Sequence, residues 1–473
     1  MKLRRLPRVP LPGPRPIPLL GPLGSMVRFF SDPVRCLRDI SRRYGNIAAV
    51  SAGDASLVCA FGPELNRQVL SNPGIFRNAV EVPMPVPPGS SLERLLSFLV
   101  ASNGEEHTWL RRMMMPLFQK SYLENYHADI VDIGEKHISR WRPGQTIDLA
   151  TEMADIALTI SFRCFFGLEL SGDARRLADM SLRFNHEATA LKTGLVPLDV
   201  RGTPYAKFLR FCDDYEQQLK RFIADREGKV SAKRDALSIL IEARDENGNA
   251  LTERQLIGAA NEFFIAGHKT VATNLGWALF MLERHPRVHS GVLEELTSTL
   301  HGEAPTMDQL GKLTTFEASL KESMRLFSPP FLFFRRPKGG VKLGAYDLPD
   351  GTSVIISPMV THRNTDLYPD PDRFLPERWS SIQPGPYEYL PFSAGPRTCL
   401  GANFAALTLR VLLPMILQRF RFSLVPGADI SYRARGPILG VKHGLPMRLH
   451  AREDRVGPPP PVRGSIHQLM ALN

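Results

Sequence analysis

The sequence predicts a mainly α-helical fold with a small β region, that is, the α+β class. From Pro63 to about Arg336, apolar residues recur mostly with the helical period, and polar turns separate these segments. Near Val341 the period changes to that of strands. Hydrophobic residues make up 43% of the 473 residues and charged residues 23%, which allows a large core and argues against disorder. Length alone would suggest two or three domains.

The segments outside the helical part have their own patterns. Residues 1–25 are basic and interrupted by prolines, which predicts an extended arm. Residues 57–61 are expected to form an early strand. Residues 341–347 and 353–356 flank a Pro-Asp-Gly turn, and this arrangement predicts a β-hairpin. A helix is expected to end near residue 420 and a strand to lie near 445–449, and the proline-rich tail, residues 456–473, is predicted to be disordered.

The longest predicted helix runs from about Thr252 to Arg284. Thr252 and Gln255 have the form of a capping box, and a His-Pro pair follows the last residue. Such a helix is about 48 Å long at about 1.5 Å per residue, enough to cross a whole domain. Taken alone, its middle could be an ordinary buried helix, with a glycine at a close helix crossing and a threonine bonded back to a carbonyl. On a helical wheel one face carries Phe263, Ala266, Gly267, Thr270 and Asn274.

The most informative segment is residues 392–401, Phe-Ser-Ala-Gly-Pro-Arg-Thr-Cys-Leu-Gly. A lone cysteine is usually a small buried hydrophobic residue. Cys399, however, lies between Gly395 and Gly401, and glycines allow peptide N–H groups to approach one sulfur. Arg397 supplies a planar fork that suits a carboxylate. The pattern Phe-x-x-Gly-x-Arg-x-Cys-x-Gly resembles the haem-ligand loop of the cytochrome P450 family of haem-thiolate oxygenases.

The resemblance extends from Pro12 to about His450 and implies one large domain, residues 26–455. It implies haem b between the long central helix and the cysteine loop, with the Cys399 thiolate as the axial iron ligand that favours O–O cleavage. Phe392 is expected to shield the sulfur side of the haem, and Gly401 to allow close approach to the sulfur. The residues expected at the haem propionates are Arg397, His107, Arg111 and Arg336, the last preferred to Arg335 on spacing.

On the opposite side of the haem, the resemblance implies that Thr270 helps to deliver protons for oxygen activation. Ala266 would let the cofactor approach, and Gly267 would allow a local bulge. Lys269 departs from the family pattern, which usually has an acid there, and a cation cannot serve a proton relay in the same way. The substrate pocket is expected to include Phe263, Phe331, Phe333, Phe334 and Leu439. Glu322, Arg325 and Arg378 match the group that supports the cysteine loop in the family.

The implied reaction inserts one atom of O₂ into a hydrophobic small molecule, by hydroxylation or epoxidation. Electrons would come from NAD(P)H through separate proteins, either ferredoxin with ferredoxin reductase or a flavodoxin-type donor. Two alternatives remain open. Lys269 suggests a peroxide-driven haem-thiolate peroxygenase, and a haem-binding sensor without catalytic activity is the third possibility.

The net charge of +11 fits either a solvated basic surface or a face that receives an acidic electron carrier. Because the basic residues look dispersed and no nucleic-acid motif accompanies them, we do not expect nucleic-acid binding. No apolar run reaches the roughly 18 residues that a membrane span requires. Five cysteines without paired spacing are typical of a reducing compartment. These features predict a soluble, cytoplasmic protein without a membrane span, and the resemblance to the family then implies its bacterial type.

Overall fold

The structure is a computed structural model, and it describes residues 6–79, 82, 84–194, 197–226 and 235–472. Helices predominate, with small sheets at the periphery, which confirms the mainly α-helical prediction. The α-helices are α1 (Gly21–Ser31), α2 (Pro33–Tyr44), α3 (Pro63–Leu70), α4 (Ser91–Leu95), α5 (Gly104–Met114), α6 (Lys120–Ile138), α7 (Leu149–Phe166), α8 (Gly172–Thr189), α9 (Leu191–Gly194), α10 (Pro204–Ala224), α11 (Ala236–Glu242), α12 (Glu253–Arg284), α13 (Pro286–Leu300), α14 (Met307–Leu310), α15 (Thr314–Leu326), α16 (Pro358–Thr361) and α17 (Ala402–Leu417). Short 3-10 helices cover Met115–Phe118, Pro376–Ser380, Gly395–Arg397 and Ser465–Gln468.

The strands form four small sheets. The largest has the order β1-β2-β8-β5-β3, in which β2 and β8 are parallel and the other neighbours antiparallel. The others pair β10 with β11, β6 with β7, and β12 with both β4 and β9. The strands are β1 (Ile47–Ala49), β2 (Leu57–Ala60), β3 (Phe76–Asn78), β4 (Thr146–Asp148), β5 (Phe333–Pro337), β6 (Val341–Leu343), β7 (Tyr346–Leu348), β8 (Ser353–Ile356), β9 (Phe420–Leu424), β10 (Tyr432–Arg435), β11 (Ile438–Val441) and β12 (Pro446–Ala451).

Helix α12 crosses the main hydrophobic core. Its capping box forms as predicted: the Thr252 hydroxyl accepts from the Gln255 N–H, and the Gln255 side chain accepts from the Thr252 N–H at 2.9 Å. It ends at Arg284, and Pro286 opens α13. Along its length α12 packs mainly against α7, and it also contacts α4, α15 and α17. Its contact with α17 places this helix next to the helix that follows the cysteine segment.

The predicted hairpin across the Pro-Asp-Gly turn is wrong. Strand β6 pairs with β7 through a tight turn at Gly344, whose φ of +55° lies in the left-handed region. Strand β8 instead pairs with β2 and β5 in the large sheet. Its buried Val354, Ile355 and Ile356 fit a strand with neighbours on both sides, which a two-stranded hairpin could not cover.

The two ends of the chain also differ from expectation. Residues 6–20 run as an extended arm beside β1, with the Ala49 N–H donating to the Pro12 carbonyl at 2.8 Å, but helix α1 already begins at Gly21. Residues 1–5 lie outside the described residues. The tail up to residue 472 packs on the domain: Ile466, Leu469 and Met470 are buried. The prediction of a disordered tail is wrong because three apolar anchors follow the prolines.

Candidate active site

The cysteine segment is a tight loop that opens helix α17. The Cys399 N–H donates to the Phe392 carbonyl at 2.9 Å, and the Thr398 N–H and hydroxyl both donate to the Gly395 carbonyl. Gly395 has a φ of +70°, and a Cβ there would lie 2.5 Å from the Leu70 carbonyl oxygen, so only glycine fits. The loop thus fixes the cysteine at the start of α17.

The Cys399 thiol opens onto an enclosed space. Its side chain is exposed, although protein surrounds it on most sides. Burial raises the pKa of the Cys399 thiol, while a hydrogen bond from the Gly401 N–H and the charge of Arg111 act in the opposite direction. A peptide N–H therefore points at the sulfur, as we expected for a thiolate ligand.

Three basic side chains meet near this loop. The Arg397 guanidinium donates to the side-chain amide oxygen (Oδ1) of Asn103 at 2.9 Å, whereas its Nε and Nη1 are buried without a hydrogen-bond partner among the described residues. Burial and the charges of Arg397 and Arg111 lower the pKa of His107 to about 4. Burial and the Arg111 charge lower the pKa of Arg397 to about 10. His107 is then neutral near pH 7, but the two neighbouring guanidinium groups of Arg397 and Arg111 suit an anionic group.

Helix α12 presents a stripe of three residues, two of them polar, to the same space. Ala266 is exposed although it lies in the middle of a core helix, and Glu262 and Thr270 occupy the same face one turn before and after it. The Thr270 hydroxyl donates to the Ala266 carbonyl at 3.1 Å. This is the back-bonded geometry that the simpler interpretation of the sequence allowed.

Phe263 and Gly267 do not belong to this stripe. Phe263 stacks on Phe165 of α7, with ring centroids 5.0 Å apart, and a Cβ at Gly267 would lie 2.7 Å from the Phe165 ring and 3.1 Å from the Ser161 hydroxyl. Glycine therefore permits the close crossing of α7 and α12. The predicted bulge is absent, since α12 is continuous from Glu253 to Arg284. Phe263 is thus buried against α7, and its predicted place in the substrate pocket stays a prediction.

Lys269 lies beside this stripe and is half-buried. Burial and the positive charge of Arg435 on β10 lower the pKa of Lys269. Arg435 therefore lies within electrostatic reach of Lys269, the position where the resemblance to the family led us to expect an acid. Arg435 belongs to no recognisable sequence motif, so only the tertiary structure shows that it lies near Lys269.

Glu262 is the functional candidate that the sequence did not indicate. Its carboxylate accepts hydrogen bonds from the N–H groups of Leu99 at 2.9 Å and Val100 at 3.3 Å. Burial raises the pKa of Glu262 to about 7 despite these two donors. The Glu262 charge also acts on Cys399, so the two side chains lie within electrostatic reach of each other. A lone glutamate in a helical pattern gives no signal of this kind.

Comparison with known proteins identifies the family to which the chain belongs. The sequence profile described as Cytochrome P450 matches residues 11–448. The chain belongs to the cytochrome P450 family. It is 29% identical to the cyclooctat-9-en-7-ol 5-monooxygenase of Streptomyces melanosporofaciens over 88% of this chain and 90% of that protein. It is 27% identical to the pentalenene oxygenase of Streptomyces avermitilis over 93% and 97%.

Solved structures show the same fold. The retinoic acid-bound cyanobacterial CYP120A1 superposes with a TM-score of 0.79 at 23% identity, covering 94% of this chain and 100% of that one. The heme domain of cytochrome P450DA gives a TM-score of 0.81 at 21% identity, with coverages of 95% and 99%. This chain is a P450 monooxygenase, and membership of the family implies a haem group, O₂ and a hydrophobic substrate.

The residues of this P450 fit a haem group. Two buried nitrogens of Arg397 have no hydrogen-bond partner among the described residues and can bind an anion such as a propionate. Cys399 opens onto the enclosed space between α17 and α12. Ala266 leaves room on the opposite wall. Phe392 is half-buried and packs on the main core. Within the described residues no cluster of histidine, cysteine and acidic side chains offers another metal site.

Of the two arginines on strand β5, Arg335 rather than Arg336 lies near the basic group. Strand β5 alternates its side chains, so Arg335 and Arg336 point to opposite faces. Burial and the charge of Arg397 lower the pKa of Arg335 to about 10, which places Arg335 within electrostatic reach of the basic group. Arg336 donates to the Ser353 hydroxyl at 3.2 Å. The preference for Arg336 is therefore corrected to Arg335, because strand register rather than spacing decides the direction.

The other expected pocket residues lie close to β5 and β11. Phe331 and Leu439 are fully buried in the main core, and the Phe331 N–H donates to the Pro437 carbonyl at 2.9 Å. Phe334 packs on the main core, whereas Phe333 packs on the smaller core beneath the large sheet. Their role towards a substrate stays a prediction.

Glu322, Arg325 and Arg378 come together as a buried network in this P450. The Glu322 carboxylate accepts from Arg325 at 2.8 and 2.9 Å, from Arg378 at 3.0 Å and from the Trp379 indole at 3.0 Å. Arg325 also donates to the His362 carbonyl at 2.7 Å.

His362 connects this network with the cysteine loop. Its Nδ1 bonds the Arg325 carbonyl at 3.0 Å, and its Nε2 accepts from the Leu390 N–H at 2.7 Å. Leu390 lies two residues before Phe392, whose carbonyl holds the Cys399 N–H. The network therefore supports the segment from which the cysteine loop starts.

Helices long and apolar enough to span a membrane are absent from the part of the chain that the structure describes.

Proposed function

We propose that this protein is a haem-thiolate monooxygenase that oxidises a cyclic, largely apolar molecule of terpenoid type. The observation that carries the proposal is the exposed Cys399 within electrostatic reach of Glu262 on α12, together with the unpaired nitrogens of Arg397 in the same loop. The names of two relatives, a cyclooctat-9-en-7-ol 5-monooxygenase and a pentalenene oxygenase, support the substrate class, because both describe unsaturated cyclic skeletons.

In the proposed reaction, one atom of O₂ enters a C–H or C=C bond and the other leaves as water, with two electrons and two protons consumed. The haem, when bound, supplies the oxygen-activating redox chemistry. Cys399 would hold the haem from one side, while Arg397, Arg335, Arg111 and His107 would hold its propionates. Thr270 carries a hydroxyl that can pass a proton across the distal space.

Electrons would come from NAD(P)H through a separate ferredoxin with its reductase, or through a flavodoxin-type donor. The family membership supports this supply, and a basic surface suits an acidic carrier. Reconstitution with each donor, scored as product formed, identifies the partner that works. Product formation with no donor present would contradict a reductase-dependent reaction.

One observation favours a second function. Lys269 replaces the usual acid beside Thr270, and its neighbour Arg435 adds another positive charge. A weak proton supply would make H₂O₂, which brings both oxygen atoms already reduced, a competitive oxidant. Rates with H₂O₂ alone and with O₂ plus a redox pair distinguish the two functions. A much higher rate with H₂O₂ would establish the peroxygenase and overturn the monooxygenase.

The ligand assignment is tested with Cys399→Ser. We expect the reduced carbon monoxide complex of the wild type to show the thiolate absorbance, and the variant to lose it, because serine cannot donate electron density as a thiolate does. Cys212→Ser is the control, since Cys212 is fully buried among the helices away from the loop. Retention of the thiolate band in Cys399→Ser would refute the assignment.

The substrate class is tested by titration with cyclic terpenes, their alcohols, steroids and fatty acids. A ligand that displaces haem-bound water shifts the Soret absorption band, so this shift reports binding in the distal space directly. We expect the largest shifts with cyclic terpenes or their alcohols. Stronger binding of fatty acids would contradict the proposed substrate class without affecting the haem assignment.

A further inference from the structure

The first helix presents an apolar face to solvent. In α1, Phe29 is buried against the core, whereas Leu23, Val27 and Phe30 are 51%, 65% and 51% exposed. Leu20, just before the helix, is 60% exposed. These four residues follow one another at spacings of three and four, so they form one continuous stripe. Folded soluble proteins seldom leave a contiguous apolar stripe open to water unless something binds there.

The chain's positive charge is concentrated at the same end. Residues 1–45 contain ten lysine or arginine residues and two aspartates, which gives +8 out of the total of +11. The net positive charge is therefore clustered, and the expectation of dispersed basic residues is wrong. Arg15, Arg35 and Arg42 in this segment are exposed to solvent. An exposed apolar stripe within a strongly basic segment combines the two features of an interfacial membrane anchor.

Charge decides between the possible occupants of the stripe. A second copy of this chain would bring two segments of +8 face to face, and their repulsion opposes a symmetric dimer through α1. An anionic lipid surface attracts each basic residue by about 1 kcal/mol and offers acyl chains to the apolar side chains. Both features of the segment are then satisfied at once.

We propose that α1 and the basic segment around it bind the surface of membranes that contain anionic lipids. Leu20, Leu23, Val27 and Phe30 enter the boundary between headgroups and acyl chains, while the arginines stay at the headgroup level. This is attachment to one face of a bilayer, and it does not require a spanning helix. The proposal is independent of the substrate and of the oxidation chemistry.

The test is flotation of the full-length holoenzyme with lipid vesicles. We expect binding to phosphatidylcholine vesicles that contain phosphatidylglycerol to exceed binding to pure phosphatidylcholine by at least about tenfold, and to weaken with added salt. The variant Leu23→Gln/Val27→Gln/Phe30→Gln should lose this binding. The matched control is Ile75→Gln/Leu182→Gln, which changes exposed apolar residues elsewhere and should bind as the wild type does. An unchanged reduced carbon monoxide spectrum shows that each variant is folded.

Arg35→Gln/Arg42→Gln separates the electrostatic part of the binding from the apolar part. We expect this variant to bind anionic vesicles several-fold more weakly. Absence of vesicle binding by the wild type, equal binding to neutral and anionic vesicles, or undiminished binding by the triple variant would each overturn the proposal. A concentration-dependent dimer that the triple variant abolishes would also overturn it, because a second copy would then be the occupant.

Discussion

Lys269, the residue before Thr270, and the nearby Arg435 distinguish this part of α12 from the usual family pattern. Lys269 is half-buried, and burial together with Arg435 lowers its pKa. The Thr270 hydroxyl bonds back to the Ala266 carbonyl instead of to an acidic partner. In the proposed reaction, the protons for oxygen activation would therefore pass through the Thr270 hydroxyl, with Lys269 as the neighbouring group that exchanges protons with water.

Lys269→Glu is expected to improve the use of reducing power. An acid beside Thr270 can give and regain protons near neutral pH, so more product should form per NAD(P)H consumed. Thr270→Ala should lower this ratio below that of the wild type. The measurement is product and peroxide per NAD(P)H with a fixed redox pair. Lys269→Met removes the charge without adding an acid, and an equal ratio in wild type, Lys269→Glu and Lys269→Met would mean that water supplies Thr270 directly.

Glu262→Leu is expected to loosen the segment before α5. The substitution removes the acceptor of the Leu99 and Val100 N–H groups, and leaving buried donors without partners costs about 1–3 kcal/mol. Glu262→Gln keeps one carbonyl acceptor and should lose less. Denaturant unfolding gives the free energies, and amide exchange at Leu99 and Val100 reports the local effect. Unchanged exchange in Glu262→Leu would show that the carboxylate does not hold this segment.

At the scale of elements, the close contact of α7 and α12 and the buried ion network determine how the site is held. Each depends on one residue in particular. Gly267 lies where the two helices cross, and Glu322 joins α15 to the segment Pro376–Ser380. Each feature has a counterpart elsewhere in the chain that serves as a control.

Gly267→Ala should destabilise the protein although alanine favours helices. The new Cβ would lie 2.7 Å from the Phe165 ring, and such overpacking typically costs about 1–3 kcal/mol. Gly276→Ala in the same helix is the matched control, because its Cβ would meet only a Leu445 methyl at 4.0 Å. That variant should gain up to about 1 kcal/mol from helix propensity. Equal effects of the two substitutions would contradict the close crossing.

Glu322→Ala should destabilise the domain by about 3–5 kcal/mol, because Arg325 and Arg378 then remain charged and buried without their partner. Weakened haem retention should accompany this loss, since the network holds the start of the cysteine loop through His362. The comparison is Glu135→Ala at the exposed Arg419 pair, expected to cost less than about 1 kcal/mol. Urea unfolding and the absorbance of bound haem check both. A small effect of Glu322→Ala would show that the network does not support the cysteine loop.

At the scale of the whole molecule, buried neutral histidines link stability to pH. Burial and the Arg325 charge lower the pKa of His362 to about 3, and burial lowers those of His268 and His289 to about 4. The unfolded chain binds protons near the ordinary histidine pKa of about 6.5, whereas the folded chain does not. Stability should therefore fall as the pH decreases below about 6.5. Glu262, whose pKa is raised to about 7, opposes this trend, but three histidines outweigh one carboxyl.

His362→Gln isolates one part of this pH dependence. Glutamine can still accept from the Leu390 N–H but does not titrate, so the fall in unfolding free energy between pH 6 and 4 should be smaller by roughly 1 kcal/mol per pH unit. Unfolding free energies at several pH values provide the measurement. Parallel pH curves for wild type and variant would show that His362 takes up a proton in the folded state, and that its buried hydrogen bonds do not keep it neutral.

Several parts of the fold and site follow from local sequence. The capping box and the His-Pro stop defined α12 to within a residue, because caps act on backbone groups of the same helix. The cysteine loop was predictable since its glycines, arginine and cysteine are contiguous. Glu322 and Arg325 lie three residues apart on one helix, so their pairing could be expected. Such features depend on neighbours along the chain.

Other features required the tertiary structure. The direction of Arg335 depends on strand register, and the partner of β8 depends on β2, which lies about 300 residues away in sequence. The rotation of α12 towards α7, the hydrogen bonds of Glu262 and the proximity of Arg435 to Lys269 likewise join distant segments. The sequence by itself determined the family, the central helix and the cysteine ligand loop. Only the packing of distant elements decided which faces look into the site, because burial against a partner overrides local pattern.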